Sequence, residues 1–295
     1  MLYHAYQACT DALLPLRLAA DGTHRWLGHL RTLDLDARSI HQPLGAACEV
    51  FVRTALTHRR PAFGIERVVS GGREVEVVEE VAYATPFGEL LRFGKPGCEA
   101  QPKVLVVAPM SGHFATLLRD TVRALLPDHD VYITDWLNAR DVPLSAGRFG
   151  LDEYVEHLIR FLERMGPGSH LVGVCQPCVA ALAAAALMAE DDHPAQPRSL
   201  TLMAGPVDCR ISPTRVNELA TGRPIEWFER TLISTVPLQH RGAMRRVYPG
   251  FLQLTAFMSM NPDRHLNAFL GMYNCLAAGR LEQARATQAF YEEYF

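Results

Sequence analysis

The sequence predicts an α/β protein built on a parallel sheet with helices on both faces. Four short, continuous apolar runs have the length of strands buried on both faces, and helical periodicity separates each run from the next. Alternation of this kind is typical of β-α-β units. The predicted strands are 103–110, 130–136, 169–174 and 199–205, and the predicted helices between them are 115–126, 151–165 and 178–190.

The segments on either side of these units have a different character. Residues 1–64 carry leucines at helical spacing, interrupted at Asp21-Gly22 and Gln42-Pro43, which predicts broken helices. From residue 65 a hairpin pattern begins, followed by a strand near 90–93, and we expect this antiparallel part to flank the main sheet. Aromatic residues and methionines at helical spacing predict a helical cap over 206–295. The predicted organisation is an N-terminal helical segment over 1–64, an α/β core over 65–205 and the cap.

Composition narrows the function classes. The 295 residues include 29 Lys and Arg against 32 Asp and Glu, a formal net charge of -3, so we expect no nucleic-acid partner. The N-terminus lacks a signal-peptide pattern, and no apolar run has the length of a membrane span. Seven scattered cysteines fit reduced thiols better than a disulfide framework. These features predict a cytoplasmic protein.

The segment 170–178, HLVGVCQPC, carries the most chemical information. A predicted buried strand runs into a sharp turn and an alanine-rich helix follows directly, which is the context of a nucleophile elbow. In the pattern G-x-S-x-G, Cys175 replaces the serine and Pro177 replaces the second glycine. The helix N-terminus favours a thiolate, and the N–H of Gln176 is free to donate to an oxyanion. A buried structural cysteine at a strand end fits the spacing equally well.

A second oxyanion donor is expected from the loop after an earlier strand, residues 108–113. The small residues of this loop let its backbone approach a substrate closely, so the N–H of Met110 or of Ser111 is the candidate donor. An ordinary strand–helix turn explains the same residues and is the commoner case.

Cys175 and Cys178 also form a C-x-x-C pair, the spacing of thiol oxidoreductases. No Trp precedes the first cysteine, and the pair lies in the third strand unit of a long chain, which weighs against a redox enzyme. A milder hypothesis makes Cys178 a redox partner that caps Cys175 reversibly as a disulfide. No metal-ligand spacing and no phosphate-binding loop occurs in the sequence.

Other side chains are candidates for the catalytic acid or base only because of their residue type, without a supporting motif. Asp135 and Asp208 each follow a predicted buried strand, where catalytic carboxylates occur, although capping and turn roles are commoner. A lone histidine is usually a structural residue, so the histidines are weaker candidates. Those considered are His113, His170, His240 and His265.

Several stretches resemble the intracellular poly(3-hydroxybutyrate) depolymerases, a family of α/β-hydrolase fold. They include VLVVAPMSGHFATLLRDTVRALL, HDVYITDWLNARDVPL, GVCQP, MAGPVDCRISPTRVNELA, EWFE, VYPGFLQ and MNPDRHL, in the order that the family keeps. The resemblance implies that Cys175 attacks an ester of the polymer, that an acyl thioester forms, and that no metal or organic cofactor takes part. It also implies that the protein works at polyester granules and that residues 206–273 form a lid over the polymer.

The sequence departs from the family in two respects. Cys178 stands where a Thr is expected. Members of the family continue past the segment at which this sequence stops, and that part supplies the last sheet strands and the triad's acid and base. We therefore expect the strand at 199–205 to be a sheet edge. The chain is then a fragment, a truncated form without catalysis, or a protein completed by a second polypeptide or its own oligomer. A local pair of Asp208 and His265 is a further alternative.

Three other functions stay open at this point. A form without catalysis could bind polyester granules through the lid. The polyhydroxyalkanoate synthases also use a Cys nucleophile on this fold and transfer an acyl group from a CoA thioester. A C-x-x-C thiol oxidoreductase is the third alternative.

Overall fold

The computed structural model describes residues 2–32, 38–56 and 59–294. Residues 33–37 and 57–58 of the predicted N-terminal helical segment lie outside this range. The helices are α1 (Leu2–Thr32), α2 (Arg38–Arg53), α3 (Arg119–Leu125), α4 (Leu151–Met165), α5 (Cys178–Glu190), α6 (Arg215–Thr221), α7 (Ile225–Thr231), α8 (Gly250–Met260), α9 (Pro262–Ala277) and α10 (Leu281–Tyr294). The strands are β1 (Arg67–Ser70), β2 (Arg73–Glu76), β3 (Val78–Ala84), β4 (Gly88–Gly94), β5 (Lys103–Val107), β6 (Asp130–Trp136), β7 (His170–Val174), β8 (Ser199–Met203), β9 (Ser234–Thr235) and β10 (Arg246–Val247).

Six strands form the central sheet in the order β3-β4-β6-β5-β7-β8. The four predicted strands pair in parallel, with Val106 of β5 opposite Ile133 of β6 on one side and Val172 of β7 on the other. β4 pairs antiparallel with both of its neighbours. This order, with a sharp turn and a helix after the fifth strand of the sheet, is that of the α/β-hydrolase fold. The predicted fold class is confirmed.

The antiparallel part is placed differently from the prediction. The β1–β2 hairpin is a separate two-stranded sheet, but β4 lies inside the main sheet, and β3 extends that sheet beyond β4. β3 was not among the predicted strands. Its residues are almost all exposed and include Glu79 and Glu80, so the strand lacks the apolar alternation that marks a half-buried strand.

The core lies on both faces of the sheet. Along β5, Leu105 and Val107 face the side covered by α4 and α5, whereas Val104 and Val106 face the side covered by α3. Side chains of a strand alternate between the two faces, so a strand covered on both sides must be apolar at every position. The continuous apolar run that predicted β5 therefore has a direct structural cause.

β8 is the last strand of the sheet on its side, as expected. Thr201 and Met203 of this strand are exposed, and so are Val179, Leu182 and Leu187 on the neighbouring helix α5. Among the described residues nothing pairs with the outer edge of β8. An unpaired strand beside exposed apolar side chains is a surface that accepts a further strand.

The N-terminal helices continue where breaks were predicted. α1 runs through Asp21-Gly22 and contains Pro15, and α2 contains Pro43. The predicted breaks are wrong. Glycine in a helix interior costs about 1 kcal/mol relative to alanine, and tertiary packing of the two helices offsets such costs. Leu27 of α1 is buried beside α2, and Ala46 of α2 packs against α9.

Residues 206–294 are mainly helical, as predicted, with the two-residue strands β9 and β10 between α7 and α8. The N-terminal helices pack against this region: α2 contacts α9 and α10, and Tyr3 and Tyr6 of α1 contact Phe251 of α8. Within the part of the chain that the structure describes, no helix combines the length and the apolar character that crossing a membrane requires.

Candidate active site

Cys175 occupies the sharp turn between β7 and α5. Its φ is +68°, in the left-handed region that non-glycine residues seldom adopt. The turn is held by the Cys175 N–H, which donates to Met203 O at 2.8 Å, and by the Cys175 carbonyl, which accepts from Cys178 N at 3.1 Å. This strained strand–turn–helix is the geometry of a nucleophile elbow, and strain of this kind concentrates at functional sites. The predicted strand, turn and helix are all present.

Pro177 precedes α5 and fits its position without cost. Its φ is -59°, close to the value that the proline ring imposes, and a missing N–H is harmless at a helix start. The N-terminus of the 13-residue helix α5 therefore lies directly after Cys175. Partial positive charge at a helix N-terminus stabilises a negative charge that develops close to it.

The loop with the second predicted oxyanion donor lies beside Gln176. Met110 N donates to Gln176 Oε1 at 2.9 Å. The loop is anchored at its start, because Ala108 N donates to Thr134 Oγ1 at 2.9 Å and Ala108 O accepts from Trp136 Nε1 at 3.0 Å. The sequence pointed to the backbone of this loop but not to its bond with the Gln176 side chain. Nothing in the local pattern signals a bond between residues 66 positions apart.

Ser111 and Gly112 complete this loop. Ser111 is buried. Gly112 has a φ of +88°, and a Cβ at this position would lie 2.8 Å from Gly250 O at the start of α8. The start of α8 therefore packs directly on the loop, and only glycine satisfies both the backbone conformation and the close approach.

Cys178 points away from solvent. Its side chain is fully buried and its Sγ donates to Gly173 O at 3.2 Å. Burial raises the pKa of the Cys178 thiol. A buried thiol with a raised pKa is less reactive, which distinguishes it from Cys175, whose residue is half-buried.

Both candidate carboxylates have cationic partners. Asp135 Oδ2 lies 2.6 Å from Arg60 Nε, and burial raises the pKa of Asp135 to about 6 against the opposing effect of Arg60. Asp208 Oδ2 lies 2.8 Å from Arg210 Nη2, and hydrogen bonds from Arg210 lower the pKa of Asp208. Asp208 also accepts from Arg210 N and shapes an exposed turn, the commoner of the two roles considered for it.

The candidate histidines also have other partners. Burial lowers the pKa of three of them, His113, His240 and His265. The bonds are His113 Nδ1 to Tyr294 O (3.3 Å), His170 Nδ1 to Ser199 Oγ (2.7 Å), His240 Nε2 to Gln7 Oε1 (3.1 Å) and His265 Nδ1 to Tyr291 Oη (2.9 Å). Among the described residues, no histidine or carboxylate is hydrogen-bonded to the Cys175 thiol. In the same part of the chain, no group of three or more metal-ligating side chains comes together.

A cleft of about 1030 Å³ reaches Met110 and Gln176. Cys175 itself is not among its lining residues, but its neighbour Gln176 is. The aromatic residues that line it include Tyr3, Tyr6, Phe87, Trp136, Phe149, Tyr248 and Phe251, and charged side chains such as Arg140, Arg148 and Glu153 share the lining. The stacked rings of Tyr6 and Phe251, whose centroids are 4.1 Å apart, connect α1 to α8 at this wall. An apolar cleft with a few polar groups is the usual form of a small-molecule site.

The chain resembles several solved hydrolase structures at low identity. It is 17% identical to a thioesterase domain from the curacin biosynthetic pathway, over 49% of this chain and 50% of that chain, with a TM-score of 0.34. It is 14% identical to naproxen esterase from Bacillus subtilis, over 75% of this chain and 67% of that chain, with a TM-score of 0.35. It is also 14% identical to a hyperthermophilic esterase from the archaeon Pyrobaculum calidifontis, over 65% of this chain and 60% of that chain, with a TM-score of 0.34. The aligned part of this chain spans about half to two thirds of these structures. No curated protein matches the chain significantly.

The family comparison concerns the last third of the chain. Residues 204–295 match the family described as "PHB de-polymerase C-terminus". The match includes the stretches around VYPGFLQ and MNPDRHL that carry the resemblance in the sequence. Over residues 204–295, the chain is therefore similar to the C-terminal part of the PHB depolymerases.

Proposed function

We propose that the protein hydrolyses ester bonds of intracellular poly(3-hydroxybutyrate), with Cys175 as the nucleophile. The single observation that carries this proposal is the φ of +68° at Cys175, in the turn between β7 and α5. A buried structural cysteine needs no such strain, whereas an elbow needs it to expose the nucleophile above the sheet. The family match over residues 204–295 supports the polyester as substrate.

The proposed reaction has two steps. The Cys175 thiolate attacks the ester carbonyl carbon, and the carbonyl oxygen becomes an oxyanion held by the N–H groups of Gln176 and Met110. The C–O bond then breaks, the alcohol end of the polymer leaves with a proton, and a hydroxyacyl thioester remains on Cys175. Water attacks this thioester and releases the acid. No step requires a metal or an organic cofactor.

The cleft supports an apolar polymer as substrate. Its aromatic side chains offer apolar surface to a chain of esters and methyl groups, although charged side chains such as Arg140 and Glu153 also line the cleft. Three leucines that line the cleft, Leu137, Leu144 and Leu151, are each about half exposed. Exposed apolar side chains at the rim of an apolar cleft are suited to contact with a hydrophobic surface. On this basis we propose that the protein acts at polyester granules in the cytoplasm.

The reaction also needs a general base. The four candidate histidines bond to other groups, and both candidate carboxylates pair with arginines. We propose that base and acid come from a polypeptide segment that pairs with the outer edge of β8, where none of the described residues pairs. That edge is close to the site, because Met203 at the end of β8 accepts the N–H of Cys175.

The test is the release of 3-hydroxybutyrate from amorphous granules by the protein and by its Cys175→Ala variant. A Cys98→Ala variant is the matched control, since Cys98 is another free cysteine, in the loop before β5. We expect an activated ester to acylate Cys175 in the wild type and the control and not in Cys175→Ala. We expect the wild type and the control, and not Cys175→Ala, to release 3-hydroxybutyrate once the segment that supplies base and acid is present. Equal release by all three would contradict the role of Cys175.

The alternative functions give other results in the same preparation. Granule binding without release, together with no acylation of Cys175 by an activated ester, would indicate a binding protein. Incorporation of hydroxybutyryl groups from a CoA thioester would indicate a synthase. Disulfide reduction would indicate an oxidoreductase, and the burial of the Cys178 thiol argues against that outcome.

A further inference from the structure

The Gln176 side chain contacts the other half of the proposed oxyanion hole. Its Oε1 accepts the Met110 N–H at 2.9 Å, although the two residues are 66 positions apart in the chain. Both residues line the cleft, and Gln176 is exposed. The bond therefore spans the site itself and is not part of the buried scaffold.

The atom types at this bond matter for the reaction. Gln176 Oε1 is a carbonyl oxygen, and it binds one of the two N–H groups assigned to the carbonyl oxygen of the substrate. Ser111, whose N–H was the alternative donor, is buried and does not line the cleft. The geometry thus favours Met110 as the second donor, and that donor is already bound to an amide oxygen of the protein.

We propose that the Gln176 side chain is a displaceable cap on the oxyanion hole, which the acyl carbonyl of the substrate replaces. The inference rests on the proposed function, because it assumes that Met110 N–H serves a Cys175 oxyanion. Displacement exchanges one neutral hydrogen bond for a charge-assisted bond to the developing oxyanion, which is the stronger of the two. The exposed amide regains its hydrogen bonds from water when it swings out, so the exchange is reversible.

The experiment compares two reactions of the full chain. Acylation of Cys175 by p-nitrophenyl butyrate requires an oxyanion hole, whereas alkylation of Cys175 by iodoacetamide requires only the thiolate. Gln176→Met has a side chain of similar length whose thioether sulfur is only a weak acceptor. Gln176→Glu keeps the acceptor and adds a negative charge. Gln283→Met, on an exposed face of α10, controls for the added methionine. The adduct on Cys175 is verified by peptide mass.

We expect Gln176→Met to raise the acylation rate about fivefold relative to alkylation, the effect of one lost neutral hydrogen bond. Gln176→Glu is expected to lower the same ratio by about tenfold, because a charged acceptor binds Met110 N–H more tightly and repels the oxyanion. Gln283→Met leaves the ratio unchanged.

Two results would overturn the inference, and they are distinguishable. If Gln176→Met slows acylation while alkylation is unchanged, the side chain supports the hole and does not cap it, and the proposed function stands. If iodoacetamide labels wild-type Cys175 but p-nitrophenyl butyrate never acylates it, the proposed function fails and the cap fails with it.

Discussion

Gly205 lies against Cys178 so closely that a Cβ at position 205 would stand 2.1 Å from Cys178 Cβ and 2.8 Å from Cys175 O. The loop after β8 therefore closes directly on the elbow. No side chain fits between them, because the contacting atoms belong to a buried side chain and to the backbone of the turn itself.

Replacement of Gly205 is therefore expected to damage the elbow. Gly205→Ala should lower the free energy of unfolding by about 1–3 kcal/mol, as overpacking of a close contact does, and should slow acylation of Cys175. Gly28→Ala is the control, since a Cβ there meets nothing within 4 Å and replaces a glycine inside α1. It should raise stability by about 0.5–1 kcal/mol. Urea unfolding measures the free energy of unfolding of both variants. Equal changes in Gly205→Ala and Gly28→Ala would contradict the close contact at Gly205.

The two cysteines of the C-x-x-C pair should differ in reactivity. The Cys178 thiol is buried, its pKa is raised by burial, and it donates to Gly173 O. We expect iodoacetamide at pH 8 to modify Cys175 on the order of tenfold faster than Cys178 in the folded protein, and both equally after unfolding. Peptide mass mapping over time measures the rates.

The same geometry bears on the hypothesis that Cys178 caps Cys175 as a disulfide. A linkage requires the Cys178 thiol to leave its buried site, so we expect no Cys175–Cys178 linkage in the folded, mildly oxidised protein. Mass spectrometry that finds this linkage in high yield would restore the redox hypothesis.

The stacked pair of Tyr6 and Phe251 should stabilise the contact between α1 and α8. Their ring centroids are 4.1 Å apart and the planes differ by 7°, and Tyr3 adds a second ring at 5.8 Å. Phe251→Ala should cost about 1–3 kcal/mol of stability, through lost apolar burial and lost ring contacts. Trp26→Ala is the control, because Trp26 is an exposed aromatic residue of α1. A similar loss from both variants in thermal unfolding would show that the stacked pair contributes nothing specific.

The raised pKa of Asp135 predicts that the free energy of unfolding depends on pH. Burial raises its pKa to about 6 in the folded protein, above the ordinary value near 3.9. The folded state binds this proton more tightly, so the contribution of Asp135 to stability is fully present below about pH 4 and is lost as the pH rises through about 6.

Replacement by Asn should remove this dependence. Between pH 4 and 7, the wild type should lose up to about 3 kcal/mol of stability relative to Asp135→Asn. Urea unfolding at each pH measures the difference. Asp120→Asn, at an exposed side chain, should show no such trend. A difference between wild type and Asp135→Asn that does not change with pH would contradict the raised pKa.

Local pattern accounts for the parallel strands and for α4 and α5. β7 and α5 lie where the continuous apolar run and the alanine-rich stretch predict them, and the turn between them follows from the same two elements. Burial on both faces requires an apolar residue at each position, so these elements can be predicted without knowledge of the elements that pack on them.

Features that depend on distant parts of the chain could not be predicted from the local sequence. β3 has no apolar signal of its own, and it becomes a strand because β4 offers it hydrogen bonds. α1 and α2 continue through Gly22 and Pro43 because each packs on other helices. In both cases tertiary contacts outweigh the local preference.

The sequence by itself determined the α/β class, the position of Cys175 in a strand–turn–helix and the loop that faces it, because each depends on residues adjacent in the chain. Only the tertiary structure decided the strand order, the burial of the Cys178 thiol and the bond from Met110 N–H to Gln176 Oε1. These depend on which distant backbones approach each other, and that approach follows from the packing of the whole core and not from any local pattern.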